Sequence, residues 1–208
     1  MEEKIIRFEA LRKLVSEKFP ESRHDVVAGV RGECEELPRG LLTEVYGSAG
    51  SVSLFVASVI LREERSFAGW VDATNALEPG EFPESVLERL LWVRCKDAVK
   101  AVQAVDLLLR DGNLPLVFLD LRGVAARAFG EIPASTWHRF QRLLEESPLA
   151  LAVCTEKPCI AAARIRVAAA GVWKLNDLLR PREELVARLR APMVYRGMVP
   201  ATEERRIA

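Results

Sequence analysis

The sequence predicts an α/β fold with a mostly parallel central sheet that helices cover on both faces. Short apolar runs alternate with helical stretches from residue 41 onward. The run Leu116–Leu119 contains no polar residue, as expected for a strand buried on both faces. The 208 residues are 50% apolar and 29% charged, which suffices for one domain with a real core.

The elements follow in order from the amino terminus. Residues 3–18 have apolar side chains at helical spacing and predict a helix that ends before Pro20, and residues 20–40 look irregular. Strands are predicted at residues 42–46, 66–73, 90–94, 115–121 and 149–155. Helices are predicted at residues 52–64, from the cap Asp97 to about residue 110 before Gly112, and from the cap Ser135 onward. Residues 165–170 and 172–175 predict an edge hairpin through Gly171, and a short helix follows near residues 182–190.

This pattern divides the chain into three parts. Residues 1–36 form a predicted helix and linker, residues 37–175 the α/β core, and residues 176–208 a C-terminal helix and tail. Ligands of parallel sheets bind beyond the carboxyl ends of the strands. A site is therefore expected in the loops that follow strands 42–46 and 115–121.

Composition argues against several classes of function. The chain has 30 lysines and arginines against 30 aspartates and glutamates, so it does not hold nucleic acid through bulk positive charge. No apolar run approaches the roughly 18 residues of a membrane span, and the charged N-terminus is not a signal peptide, so we expect a cytoplasmic protein. We expect reduced structural thiols and no metal site, because the cysteines form no CxxC pair and there are two histidines. The cysteines are Cys34, Cys95, Cys154 and Cys159.

A strand, a turn of small residues and a helix follow one another from residue 42, as they do around a phosphate-binding loop. Such a loop reads G-x-x-x-x-G-K-[ST]: its amides curl round the phosphates, its lysine meets them and its hydroxyl ligates magnesium. Here the pattern runs from Gly47, with Val52 at the second glycine, Ser53 at the lysine and Leu54 at the magnesium hydroxyl. A triphosphate would be desolvated without a cation, so the sequence predicts a vestigial loop, no cofactor and no ATPase activity.

The vestigial loop retains small residues, and an acidic residue stands near it. Amides at a helix N-terminus attract anions weakly, so weak nucleotide binding remains an alternative. Asp120, at the end of strand 115–121, stands where an ATPase places an acidic residue. We expect it instead to hydrogen-bond to the turn over residues 47–53. The residues of the predicted vestigial site are Gly47, Gly50, Ser51, Ser53 and Asp120.

Three segments, in the right order, resemble RecA-type recombinases. They are LPRGLLTEVYG at residues 37–47, WVDATNALEP at residues 70–79 and LLLRDGNLPLVFLD at residues 107–120. The second resembles the RecA segment D-A-E-x-A-L-x-P, whose glutamate activates the attacking water. Thr74 stands in its place and cannot act as that base. The resemblance implies a RecA-like core over residues 37–175.

The sequence departs from RecA where RecA holds single-stranded DNA. The corresponding stretches, residues 122–134 and 156–163, are short, and the second lacks glycine, so strong direct DNA binding is not expected. A short core of this kind, with Leu37–Gly40 before its first strand, is similar to the ImuA family, which accompanies ImuB in damage-induced translesion synthesis. That resemblance implies a non-catalytic adaptor that binds RecA and an ImuB-type partner. A SulA-like division inhibitor and a residual RecA-like ATPase remain alternatives.

Two segments are candidate docking elements. The apolar face of helix 3–18 packs either on a partner, as in RecA protomers, or on the protein's own core. Residues 193–199 either add a strand to a partner's sheet or form the last strand of their own sheet. Arg164 and Arg166 are expected as solvated charges on an edge strand, and self-association stays open. The predicted contact residues are Ile5, Phe8, Leu11, Val15, Met193, Val194, Tyr195 and Met198.

Overall fold

The computed structural model describes residues 30–63, 66–171, 173, 176–177, 180 and 182–195. The predicted helix over residues 3–18, with Ile5, Phe8, Leu11 and Val15, lies outside the described residues, as does Met198. The described residues form an eight-stranded sheet flanked by helices, which confirms the predicted α/β class.

Most strands of the sheet are parallel. The strands are β1 Val30–Glu33, β2 Leu42–Gly47, β3 Ala68–Asp72, β4 Leu90–Arg94, β5 Leu116–Asp120, β6 Ala150–Thr155, β7 Ile165–Ala169 and β8 Pro192–Tyr195. Their order across the sheet is β1-β8-β7-β2-β6-β5-β3-β4. The strands from β7 to β4 are parallel, whereas β8 is antiparallel to β7 and β1 is antiparallel to β8. The carboxyl ends of β2, β3, β5 and β6 therefore share one edge.

Helices connect the strands. They are α1 Ala49–Arg62, α2 Glu84–Leu87, α3 Ala98–Asp111, α4 Ala126–Gly130, α5 Ala134–Glu145 and α6 Arg182–Val186, with a 3-10 turn at Pro79–Glu81. Asp97 caps α3 by accepting a hydrogen bond from the Lys100 amide, and Gly112 ends it at a φ of +75°, as the sequence predicted.

Apolar side chains bind helices to both faces of the central strands. On one face α3 and α5 contribute Val105 and Phe140 to a core that also contains Val117. On the other face the rings of Trp70 and Phe118 lie 6.0 Å apart. Full burial of each such side chain contributes about 2–3 kcal/mol, so these two layers hold the sheet edge that carries the candidate site.

The segment Leu37–Gly40, which carries part of the RecA resemblance, anchors the start of β2. The Arg39 guanidinium donates to Glu63 Oε1 at 2.6 Å and also to the carbonyl oxygen of Pro115. Gly40 has a φ of +76°, which favours glycine, and its amide donates to the Leu149 carbonyl oxygen at 2.8 Å. These bonds join the end of α1 to the starts of β5 and β6.

Two predictions about the sheet edge are wrong. β7 does not form an edge hairpin, because β8 pairs with its outer side; residues 172, 174 and 175 lie outside the described residues. Residues 20–40 are not irregular throughout, since β1 pairs with β8. For residues 193–199 the structure shows the second alternative as far as residue 195: β8 belongs to the chain's own sheet, and Met193 is buried in it.

Two predicted helix starts are wrong as well. α5 begins at Ala134 directly after Pro133, so Ser135 is not its cap. Pro133 itself is the cap residue, and its backbone is extended, with a φ of −61° and a ψ of 136°. α1 begins at Ala49, three residues before the predicted position, because Ser48 caps it.

The close approach of β2 to β7 predicts a strict need for glycine at position 47. Gly47 has a φ of +150°, and a Cβ atom there would lie 2.1 Å from the Ala169 carbonyl oxygen. Gly47→Ala should therefore lower the free energy of unfolding by about 2 kcal/mol or more, measured by urea denaturation. Gly50→Ala is the matched control: nothing lies within 4 Å of its added Cβ, and equal losses in both variants would contradict the prediction.

Candidate functional site

The ends of β2, β3 and β5 converge on the region where the sequence predicts a vestigial phosphate site. Asp72 and Asp120 are the last residues of neighbouring strands and occupy paired positions in the sheet. Both carboxylates are fully buried. Buried carboxylates require hydrogen bonds or a positive charge, so their partners define the site.

The residues that follow β2 form the first turn of α1. Ser48 alone separates β2 from α1, and its Oγ accepts from the Ser51 amide at 3.4 Å. The Val52 amide donates to the Ser48 carbonyl oxygen at 3.0 Å, as in any first helical turn. Residues 49–52 are therefore helical where a phosphate loop would curl its amides round an anion. Val52 is fully buried, so its side chain fills the position of the second glycine.

Arg122, in the segment after β5, brings a positive charge to this turn. Its Nη1 donates to the Ala49 carbonyl oxygen at 2.6 Å and to Ser53 Oγ at 3.1 Å. Ser53 stands at the lysine position of the phosphate-loop pattern. The cation at this position thus comes from the segment after β5, and its hydrogen bonds go to the protein itself.

Asp120 holds the other side of the Arg122 guanidinium. Arg122 Nε donates to Asp120 Oδ1 at 2.8 Å, and Nη2 donates to Asp120 Oδ2 at 2.6 Å. The arginine side chain is 6% exposed and the aspartate 0%. Burial by itself lowers the pKa of the Arg122 guanidinium, but its hydrogen bonds to Asp120 and the charge of Asp120 raise that pKa above its usual value. Arg122 is therefore permanently charged, and Asp120 reaches the turn over residues 47–53 through it.

Asp72 organises the segment that resembles the catalytic motif of RecA. Its carboxylate accepts from the amides of Thr74, Ala76 and Leu77 at 3.0–3.1 Å, which fixes the turn after β3. Thr74 Oγ1 donates to the Arg122 carbonyl oxygen at 3.1 Å. Thr74 is thus hydrogen-bonded to the same residue, Arg122, that donates to Ser53 at the lysine position.

Arg122 was not among the site residues that the sequence predicted. Gly47, Gly50, Ser51, Ser53 and Asp120 all lie at this sheet edge, with Gly50 exposed and Ser51 buried under the cap. The one signal for Arg122 is its spacing, two residues after a strand-terminal aspartate. Nothing near Arg122 in the sequence indicates that it reaches α1.

A second buried ion pair lies nearby and corrects the prediction for Arg166. Arg166 is not a solvated edge charge: its Nε donates to Glu44 Oε2 at 2.7 Å, and the Glu44 side chain is fully buried. Glu44 Oε1 also accepts from the amides of Cys159 and Ile160 at 2.5 and 2.9 Å. This carboxylate therefore fixes the loop over residues 156–163.

A cavity of about 350 Å³ opens beside this loop, at the carboxyl ends of β5 and β6. Apolar side chains such as Val124 and Phe129 form much of its lining, and the Cys159 thiol also contributes. Burial, followed by the charge of Glu44, raises the pKa of the Cys159 thiol to about 11. The thiol stays protonated near neutral pH, so the cavity offers no activated cysteine nucleophile.

In the part of the chain that the structure describes, no group of three or more histidine, cysteine, aspartate or glutamate residues is arranged to hold a metal ion. No helix in the same part is long and apolar enough to cross a bilayer.

Comparison with curated sequences finds similarity to RecA proteins. No protein-family model matches the chain. RecA of Streptomyces ambofaciens is 33% identical over 102 residues, which make up 46% of this chain and 26% of that protein. RecA of Salinispora tropica is 34% identical over 102 residues, 46% of this chain and 28% of that protein. The chain thus spans about a quarter of the length of the curated relatives it matches.

Comparison with solved structures finds the same fold. The RadB recombinase superposes with a TM-score of 0.52 at 14% sequence identity, over 66% of this chain and 78% of that one. The sequence similarity and the superposition together support a RecA-like α/β fold. They do not distinguish the ImuA family from other RecA-like proteins.

The buried pair of Arg122 and Asp120 makes a testable contribution to stability. Arg122→Ala should lower the free energy of unfolding by about 3–5 kcal/mol, because it leaves the Asp120 charge buried and unpaired. Arg110→Ala is the control, since its exposed pair with Asp106 contributes at most about 1 kcal/mol. Both are measured by urea denaturation. The double variant Asp120→Leu/Arg122→Met should lose less than Arg122→Ala; a larger loss would mean that the buried charges do not depend on each other.

Proposed function

We propose that this RecA-like chain is a non-catalytic adaptor in the bacterial response to DNA damage, where it binds RecA and an ImuB-type polymerase-like partner. The observation that carries the proposal is the internal use of Arg122, whose guanidinium bonds to Asp120, Ala49 and Ser53. The similarity to RecA proteins and to a recombinase fold supports a connection with DNA repair or recombination.

Loss of ATP chemistry rests on changes at several separate positions. The lysine position is Ser53, the magnesium hydroxyl is Leu54 and the water-activating glutamate is Thr74. A triphosphate would have to displace Arg122 from Asp120, leaving the buried carboxylate beside the negative phosphates, where like charges repel. Together these changes disfavour both the binding and the hydrolysis of ATP.

An adaptor role accounts for the preserved scaffold. The core keeps its parallel sheet, its buried layers and its anchored loops although the catalytic positions differ. Selection for contacts with other proteins would maintain such a surface without maintaining chemistry. The formal net charge of zero also fits a protein whose partners are proteins more than nucleic acid.

The proposal predicts no response to Mg-ATP. Calorimetric titration with Mg-ATP should give no binding heat, and saturating Mg-ATP should leave the unfolding temperature unchanged, because the loop offers neither a free cation nor curled amides. A catalytic RecA protein serves as the positive control. Millimolar or tighter binding, or any hydrolysis above background, would favour the residual ATPase instead.

The proposal also predicts direct binding to RecA and to an ImuB-type protein. In a pull-down with the purified full chain, both partners should be retained, and failure to retain either would contradict the adaptor role.

The predicted apolar face of residues 3–18 can be tested in the same assay. If it docks on a partner, Phe8→Asp should reduce retention at least tenfold without changing the unfolding temperature, because it removes an apolar anchor. Ala10→Asp, on the other side of the predicted helix, is the matched control. A lowered unfolding temperature in Phe8→Asp would assign this face to the protein's own core.

A further inference from the structure

We propose that two copies of this chain associate through β4, edge to edge and antiparallel, so that their sheets become one continuous sheet. This inference concerns the far edge of the sheet from β1 and does not depend on the proposed adaptor role. It rests on an open strand edge, on the direction of its backbone groups and on its self-complementary sequence.

β4 is an open edge within the described residues. It pairs with β3 on one side, and no described strand pairs with its other side. Its five residues align with β3 in unbroken register, from Leu90 opposite Ala68 to Arg94 opposite Asp72. Edge strands are usually protected by proline, lysine, inward-pointing charges or a bulge. The sequence Leu-Leu-Trp-Val-Arg has no proline, lysine or bulge, and its one charged residue, Arg94, is the last of the strand.

Apolar side chains accompany this open edge. Leu91 is 47% exposed although it lies mid-strand. It pairs with Gly69 and therefore shares the face of the sheet that α3 covers, since a Cβ at Gly69 would lie 3.4 Å from Leu108 Cδ1. Leu107 of α3 is 68% exposed. A strand added beside β4 would cover Leu91.

The hydrogen bonds to β3 fix which backbone groups of β4 point outward. The Ala68 amide donates to the Arg89 carbonyl oxygen, and the Cys95 amide donates to the Asp72 carbonyl oxygen, both at 2.9 Å. In a parallel ladder, bonding alternates along each strand, so the odd-numbered residues from 89 to 95 face β3. Leu90, Trp92 and Arg94 therefore present their N–H and C=O groups outward.

If a two-fold axis passes between the Trp92 residues of two copies, the outward groups of one β4 strand match those of the other. In that antiparallel register Trp92 pairs with Trp92 of the second copy, and Leu90 pairs with Arg94 in both directions. Every outward N–H and C=O of β4 then has a partner. A shift by two residues in either direction would leave outward groups of β4 without a strand residue opposite them.

Charges at the strand ends favour the same register. Glu88 precedes β4 and Lys96 follows it, and both side chains are exposed. With the axis at Trp92, Glu88 of each copy lies at the end of the strand where Lys96 of the other copy lies. The two Arg94 side chains are at opposite ends and do not face each other. This symmetry favours a second copy of the chain as the occupant, because isologous contacts require such self-complementarity.

Mass and hydrogen exchange test the dimer together. Light scattering on the full chain should give a mass that rises with concentration toward twice the 23.2 kDa of one chain. The amides of Leu90, Trp92 and Arg94 should become protected from exchange over the same concentrations, whereas Leu91 and Val93, bonded to β3, should be protected throughout. A monomer at all concentrations, or a dimer that leaves these three amides in fast exchange, would overturn the proposal.

A charge exchange tests the register. Glu88→Lys and Lys96→Glu should each weaken the dimer, by about three- to tenfold, because each places like charges at both strand ends. The double variant Glu88→Lys/Lys96→Glu should restore it, and Lys100→Glu on α3 is a control of equal charge change. Equal weakening by the single and double variants would reject this register. Protection of the three amides by a different protein, with the chain alone monomeric, would assign the edge to that protein's strand and overturn self-association.

Discussion

The buried charge of Asp120 constrains the carboxyl edge of the sheet more than any other single feature. A carboxylate without solvent needs a positive partner, and Arg122 satisfies it with two hydrogen bonds. The remaining donor reaches the first turn of α1, while the Arg122 carbonyl oxygen accepts from Thr74. One residue, through its side chain and its main-chain carbonyl, thereby joins the segments after β2, β3 and β5 into one hydrogen-bonded unit.

Glu44 imposes the same constraint on the neighbouring strands. Its charge is neutralised by Arg166 on β7, and its second oxygen holds two amides of the loop after β6. Parallel sheets usually present their carboxyl edge to a ligand. In the described residues two buried ion pairs cross-link the segments at that edge, so most of its polar groups already have partners within the protein.

Local patterns predicted the elements whose sequence signals lie within the element itself. The strand at residues 90–94 and the helix between Asp97 and Gly112 match the structure, because their signals lie within the element. β7 was assigned to an edge hairpin through Gly171, whereas its outer neighbour is the later strand β8. Arg166 was predicted as a solvated charge because its partner Glu44 is 122 residues away in sequence. The residues at the phosphate-loop positions could be identified directly from the sequence, since each is one position in the G-x-x-x-x-G-K-[ST] pattern. The contact of Arg122 with Ser53, 69 residues apart, could not be read in that way.

The position of Arg122 also limits how this edge of the sheet could be redesigned to bind phosphate. Its guanidinium lies 3.1 Å from Ser53 Oγ, so a lysine placed at position 53 would set a second cation against the first. The buried valine at position 52 would also have to give way for the helical turn to open. A single lysine substitution would therefore not create a phosphate-binding loop in this chain.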